Sequence, residues 1–272
     1  MIRALLTVVL AAACGGESPP AIDAPPSTPP DLSRVDCHAV LAPPPAHLGL
    51  DPFYTKYLDI AGLPLISSTV VRDAAFPIAC DILVHMLGKR PEIITALAAV
   101  KVRVGIIAES EVTTDMPEYA DLDEAFPGTD WDTRARGLGA TLDRPLSSVG
   151  EENLLALPTD VYRGENILVH EFGHTFFELG AARLADGRAR STELDALYAR
   201  AVQSGAFANT YAATNVSEYW AEALQSFYDA NIEAIPSNGI HNSIDTRADL
   251  RAADPMISDF IELYFAPDSY RP

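Results

Sequence analysis

Lysine is nearly missing from this chain of 272 residues, standing only at 56, 89 and 101, so the basic residues are almost all arginine. Nineteen Lys and Arg face 38 Asp and Glu, a formal net charge of −19. A surface of that sign excludes nucleic-acid backbones and anionic membrane faces as broad partners, because both select basic patches. No internal repeat is present. No apolar run is long enough to span a bilayer, which takes about 20 residues. Cysteine is also scarce, three in all.

What is present begins with a targeting segment. "MIRALLTVVLAAAC" has one Arg, a short apolar run and then small residues, the pattern of a secretory signal. "LAAAC" is similar to a bacterial lipoprotein signal, in which Cys14 becomes the lipidated first residue of the mature chain. Ala11 stands where that pattern prefers Leu, so a cut by ordinary signal peptidase stays open. The reading is a signal at residues 1–13, with any membrane contact made through a lipid at Cys14. Residues 14–34, rich in Pro, Ser and Ala, read as a disordered tether. The folded domain is expected over 35–272. Setting Cys14 aside leaves Cys37 and Cys80, which an exported protein can oxidise to a disulfide; two free buried thiols are the alternative.

Along that domain the spacing predicts a short helix at 52–58, a strand or extended stretch at 63–71 and a helix from Asp73 to Leu87 ended by Gly88. A second helix follows from Pro91 to about Ala99, then a strand at 101–109 and a loop over 110–133. "RARGLGATL" (134–142) reads as extended, its glycines allowing close backbone approach. Helices are expected at Ile167–Leu179 with Gly180 capping it, at Glu193–Gln203, at Glu218–Asp229 and at Asp254–Phe265. Strands before residue 165 and helices after it make the fold class α+β rather than a wound parallel sheet.

The chemistry concentrates in "ILVHEFGHTFFE" (167–178). Residues four apart on a helix share a face, so His170 and His174 can point two imidazoles at one ion. Zn²⁺ accepts neutral imidazole nitrogens in tetrahedral geometry. Glu171 lies about 100° round the helix, suited to act as general base on a water at the metal. A catalytic zinc takes three protein ligands, and no third histidine follows within reach. "YAATNVSEYWAEALQSFY" (211–228) offers Glu218 and Glu222, again four apart. Glu218 also reads as a helix-start carboxylate boxed with Asn215. Two like charges on one buried face ask for cations. A zinc for one and a histidine N–H for the other would satisfy both.

"HEFGH" followed by "YAATNVSEYWAE" resembles the catalytic domain of anthrax lethal factor and its relatives, zinc metallopeptidases of the gluzincin type. The resemblance covers about residues 160–230. It implies a zincin-like fold with the active-site helix between a strand-containing part and a helical part. It implies Zn²⁺ on His170, His174 and Glu218, Glu171 as base, Tyr211 assisting the oxyanion, and Glu222 supporting the ligands. The expected activity is endopeptidase action on a peptide or protein substrate, exported and anchored at the bacterial envelope or secreted. A non-catalytic zinc-stabilised binding module and a zinc hydrolase of non-peptide bonds are the alternatives. His38, His47, His85 and His241 read as structural or surface residues. Part of 134–142 is expected to be the strand along which substrate binds, with "EEN" (151–153) and "DVYRGEN" (160–166) leading into the active helix.

Overall fold

The computed structural model describes residues 28–272. The residues expected to form the signal, Cys14 and most of the expected tether lie outside the described residues. Leu32 and Val35 already pack against the main core, beside a 3₁₀ turn at Leu32–Arg34.

One four-stranded sheet, in the order β1-β2-β3-β4, organises the first half. Strands β1 (Lys56–Ile60) and β2 (Leu63–Ser67) form an antiparallel hairpin. A two-residue turn joins them, Ala61 and Gly62 both having positive φ, the backbone that matches strand twist. The helix expected at 52–58 is therefore corrected: Tyr57, Leu58 and Ile60 belong to a strand, and ladder pairing outweighs a short apolar spacing. Helices α1 (Ala75–Leu87) and α2 (Glu92–Ala99) form the crossover to β3 (Arg103–Ile107), which runs parallel to β2. β4 (Leu146–Gly150) pairs parallel with β3.

Alternation divides the sheet into two faces. Leu65, Val104, Ile106 and Val149 join the main core, while Ile66, Ile107 and Leu146 join a second, smaller one. The span expected as a loop over 110–133 covers that second face. It carries 3₁₀ turns and two short helices, α3 (Leu122–Ala125) and α4 (Trp131–Arg134), which bury Met116, Tyr119 and Trp131. Residues 135–141 then run extended beyond β4 without joining the ladder. Ser148 N–H donates to Leu138 O at 2.9 Å, and Leu138 N–H donates to Ser148 Oγ at 3.1 Å. Arg136 anchors the start of this segment: it makes a two-pronged ion pair with Glu152, at 2.6 and 3.0 Å, and donates to Ala108 O.

Helices fill the rest. A short α5 (Glu151–Leu154) precedes α6 (Ile167–Thr175), which passes into a wider π turn at Phe176–Gly180. α7 (Gly187–Ser204) starts earlier than expected, and α8 (Val216–Phe227), α9 (Arg247–Ala253) and α10 (Pro255–Ile261) close the main core. Sheet first and helices after it make a mixed α+β fold, with α6 packed between β4 and α8. Among the described residues no helix is long and apolar enough to cross a membrane. Cys37 and Cys80 are joined in a disulfide, which ties the N-terminal segment to α1.

Candidate metal centre

Two side chains secure the start of α6. Asn166 caps its start, accepting from Val169 N–H at 3.0 Å, and Asn153 Oδ1 accepts from Ile167 N–H at 2.9 Å. These bonds satisfy backbone donors that a helix start leaves without partners. All of Ile167–Thr175 is buried. α8 lies against it, with Trp220 Nε1 donating to Gly173 O at 2.9 Å. Asn215 caps α8 by accepting from Glu218 N–H at 3.0 Å. Glu218 is thus the third residue of α8, and its carboxylate turns inward to α6; its exposure is 0%.

His170, His174 and Glu218 converge. His170 Nε2 is 3.1 Å from Glu218 Oε2, His174 Nε2 is 3.4 Å from the same oxygen, and the two Nε2 atoms are 3.2 Å apart. His170 Nδ1 sits 2.8 Å from Gln225 Oε1. Gln225 is itself held by donating to Asn166 O at 3.3 Å. An amide oxygen only accepts, so Nδ1 carries the proton and the Nε2 lone pair faces Glu218. Two acceptors 3.1 Å apart in a buried site require a cation between them. A proton or a metal ion can fill that role, and this buried trio could hold a metal ion. His174 Nδ1 is buried without a hydrogen-bond partner, so that ring is fixed by packing and by its Nε2 side.

The surrounding charges follow the same logic. Burial pulls the His170 imidazole down, but the Glu218 hydrogen bond and the nearby carboxylates outweigh it and push it up to about 10. Burial works against ionised Glu218 as well, yet His174 and His170 hold its carboxyl well below the usual range. Glu171 moves the other way: burial raises it, only partly countered by the two imidazoles and by the Gly139 N–H that hydrogen-bonds its carboxylate.

Tyr211 and Glu222 stand beside the trio. Tyr211 Oη donates to Glu218 Oε1 at 2.7 Å, and its ring stacks near His170. Glu222 Oε1 is 3.6 Å from His170 Nδ1, farther than Gln225, and Glu222 Oε2 accepts from Asn231 Nδ2 at 3.1 Å. Burial pushes the Glu222 carboxyl up to about 7. Sequence reasoning missed Gln225 and Asn231. A glutamine seven residues after Glu218, two turns along the same face, is the signal that points to the first. Nothing local points to Asn231.

A cavity of about 280 Å³ opens beside His170, Glu171 and Tyr211. Its walls include Val161, Ile232 and Ile240, with Glu165, Glu222 and His241 among them. His241, expected to be structural or at the surface, therefore faces this cleft. His85 stacks on Tyr270, away from it. The segment Gly137–Ala140 borders the cleft and α6: Ala140 N–H donates to Thr175 Oγ1 at 2.8 Å. A methyl group at Gly137 would lie 2.7 Å from Ser148 O, and one at Gly139 would lie 3.0 Å from His174 Cβ. Glycine is what lets the segment pass this close to the helix. In comparisons with known proteins, no family model and no curated protein matches the chain.

Proposed function

We propose that the chain is an exported zinc endopeptidase with a zincin-like fold of the gluzincin type. The observation that carries the reading is the trio of ligand atoms with edges of 3.1, 3.2 and 3.4 Å beside a buried carboxylate in an open cleft. Atoms about 2.0–2.2 Å from a tetrahedral zinc lie roughly 3.3–3.5 Å from one another, so the edges are close to those of a zinc site. Two imidazoles and one carboxylate are also a donor set that zinc accepts in catalytic sites.

A zinc held there would polarise a peptide carbonyl and acidify a water. Glu171 takes a proton from the attacking water and delivers it to the leaving amine nitrogen. One water is consumed, the C–N bond breaks, and a carboxyl and an amine result. A carboxyl raised by burial suits both halves of that transfer. Gly139 N–H orients Glu171, and Gln225 fixes the tautomer of His170. Tyr211 borders the cleft and holds Glu218; a phenol there can also donate toward a developing oxyanion.

A base facing a cleft favours catalysis over a zinc site that only braces the fold. Export is supported by the N-terminal segment and by the Cys37–Cys80 disulfide, which belongs to oxidising compartments. Lipid attachment at Cys14 is part of the same proposal. The test is a diverse peptide mixture incubated with the mature zinc-loaded protein, a chelated sample and Glu171→Gln, with products read by mass spectrometry. Cleavage by the first alone is expected. Equal cleavage by Glu171→Gln would sink the mechanism.

A further inference from the structure

We infer that the cavity beside the metal trio is a recognition pocket for an Arg or Lys side chain of the peptide substrate, read by Glu165. The inference rests on the peptidase reading and adds the chemistry of the substrate.

Three carboxylates face the cavity, those of Glu165, Glu171 and Glu222, and neither Lys nor Arg is among its lining residues. The cationic candidates facing it are His170, which is engaged with Glu218 and Gln225, and His241. Each of the three carboxylates has a partner. Glu171 is held by Gly139 N–H beside the trio, and Glu222 accepts from Asn231 and neighbours His170. Glu165 meets His241 Nε2 at 3.4 Å, within ion-pair range. That separation is long for a hydrogen bond, and His241 is only 8% exposed. Glu165, with two carboxylate oxygens, keeps acceptor sites for a further donor entering the cavity.

The walls set the shape of such a guest. Val161, Ile232 and Ile240 are apolar, and Glu165 and His241 line the same cavity. Long basic side chains match this division, an aliphatic stem against apolar walls and a charged head among acceptors. A guanidinium or ammonium group donates to Glu165, whose carboxylate has more acceptor sites than the one facing His241. An acidic guest meets repulsion from three carboxylates, and an aliphatic one covers Glu165 without filling its remaining acceptor sites.

The experiment uses zinc-loaded Glu171→Gln protein and measures binding, so no turnover is needed. Three series of one dye-labelled decapeptide carry a single Arg, norleucine or Glu moved along the chain. At the best position the Arg peptide is expected to bind about tenfold or more tighter than norleucine, the scale of a charge-assisted hydrogen bond. Adding Glu165→Gln brings that ratio within about twofold. Equal affinity for Arg and norleucine, no binding of any peptide, or a ratio that Glu165→Gln leaves unchanged would overturn the inference. Should Glu165→Gln fold poorly, Val161→Lys gives the same reading from the mouth of the pocket, where Val161 is 70% exposed. That lysine should lower the Arg preference, and a preference it does not move counts against the pocket. The protein with Glu171 intact is assayed in parallel for cleavage. Binding preference without cleavage would reject the peptidase reading while leaving the pocket in place.

Discussion

Tyr211 Oη lies 2.7 Å from Glu218 Oε1, while the other oxygen of that carboxylate, Oε2, faces both imidazoles. One phenol therefore orients the carboxylate that closes the trio. A partner of this kind typically changes metal affinity or activity by about 10–100-fold when removed. Tyr211→Phe is expected to weaken zinc binding by about tenfold and to lower peptide turnover further. Competition with a chromophoric chelator measures the first and single-turnover cleavage the second. Lost turnover at full zinc affinity would assign Tyr211 to the substrate alone.

The pair His170 and Glu218 predicts how metal uptake depends on pH. Without metal, the His170 imidazole is pushed up to about 10 from an ordinary 6.5, so its proton stays bound at neutral pH. A raised imidazole stabilises the fold fully below its ordinary value and loses that contribution as pH rises through the folded one. The metal-free protein should therefore lose stability between pH 6.5 and about 10. Metal must displace the same proton, so affinity rises with pH over that window. At pH 7 in weak buffer, zinc addition should release about one proton or more per ion, measured with an indicator dye. Zinc uptake without proton release would contradict the His170–Glu218 pairing.

The trio was legible because its spacing is local. His170, Glu171 and His174 lie within two turns of one helix, and Glu218 follows a motif on another. Gln225, Asn231, Glu165 and His241 come to the cleft through packing of separate segments, which no fixed spacing announces. Strand β4 was hidden for a different reason. "LSSVG" is too polar for an apolar run, yet both serines are buried, and Ser148 Oγ accepts from Leu138 N–H and Tyr119 Oη. The hairpin at 56–67 was obscured by Ala61, an alanine at positive φ where Asn or Gly is the usual turn signal.

Gly137 separates steric need from substrate contact along the 134–142 segment. Its added methyl would meet Ser148 O and Ile167 Cγ2, each at 2.7 Å, with backbone among the obstacles. At Gly139 the tightest approach is 3.0 Å. Gly137→Ala is expected to cost about 1–3 kcal/mol, the range of an overpacked site, and Gly139→Ala less. Urea unfolding of both variants measures the difference. Turnover should fall in both, because this segment hydrogen-bonds Glu171 and borders the cleft. Unchanged turnover in both variants would remove the segment from the active surface.

The Cys37–Cys80 bond closes a loop of sequence separation 43 and pins the N-terminal segment to a cysteine that is fully buried in α1. In the chain-entropy account a loop of that size gives about 4 kcal/mol, mostly by restricting the unfolded chain. The double variant Cys37→Ser, Cys80→Ser should therefore lower unfolding stability by about 2–4 kcal/mol, part of it from placing a hydroxyl at a buried position. Reduction of the unaltered protein tests the bond without that hydroxyl. The metal trio lies on α6 and α8, so zinc bound per folded chain should stay the same while the unfolding midpoint drops. A reduced protein as stable as the oxidised one would show that the 43-residue closure restrains an unfolded chain already held compact by other means.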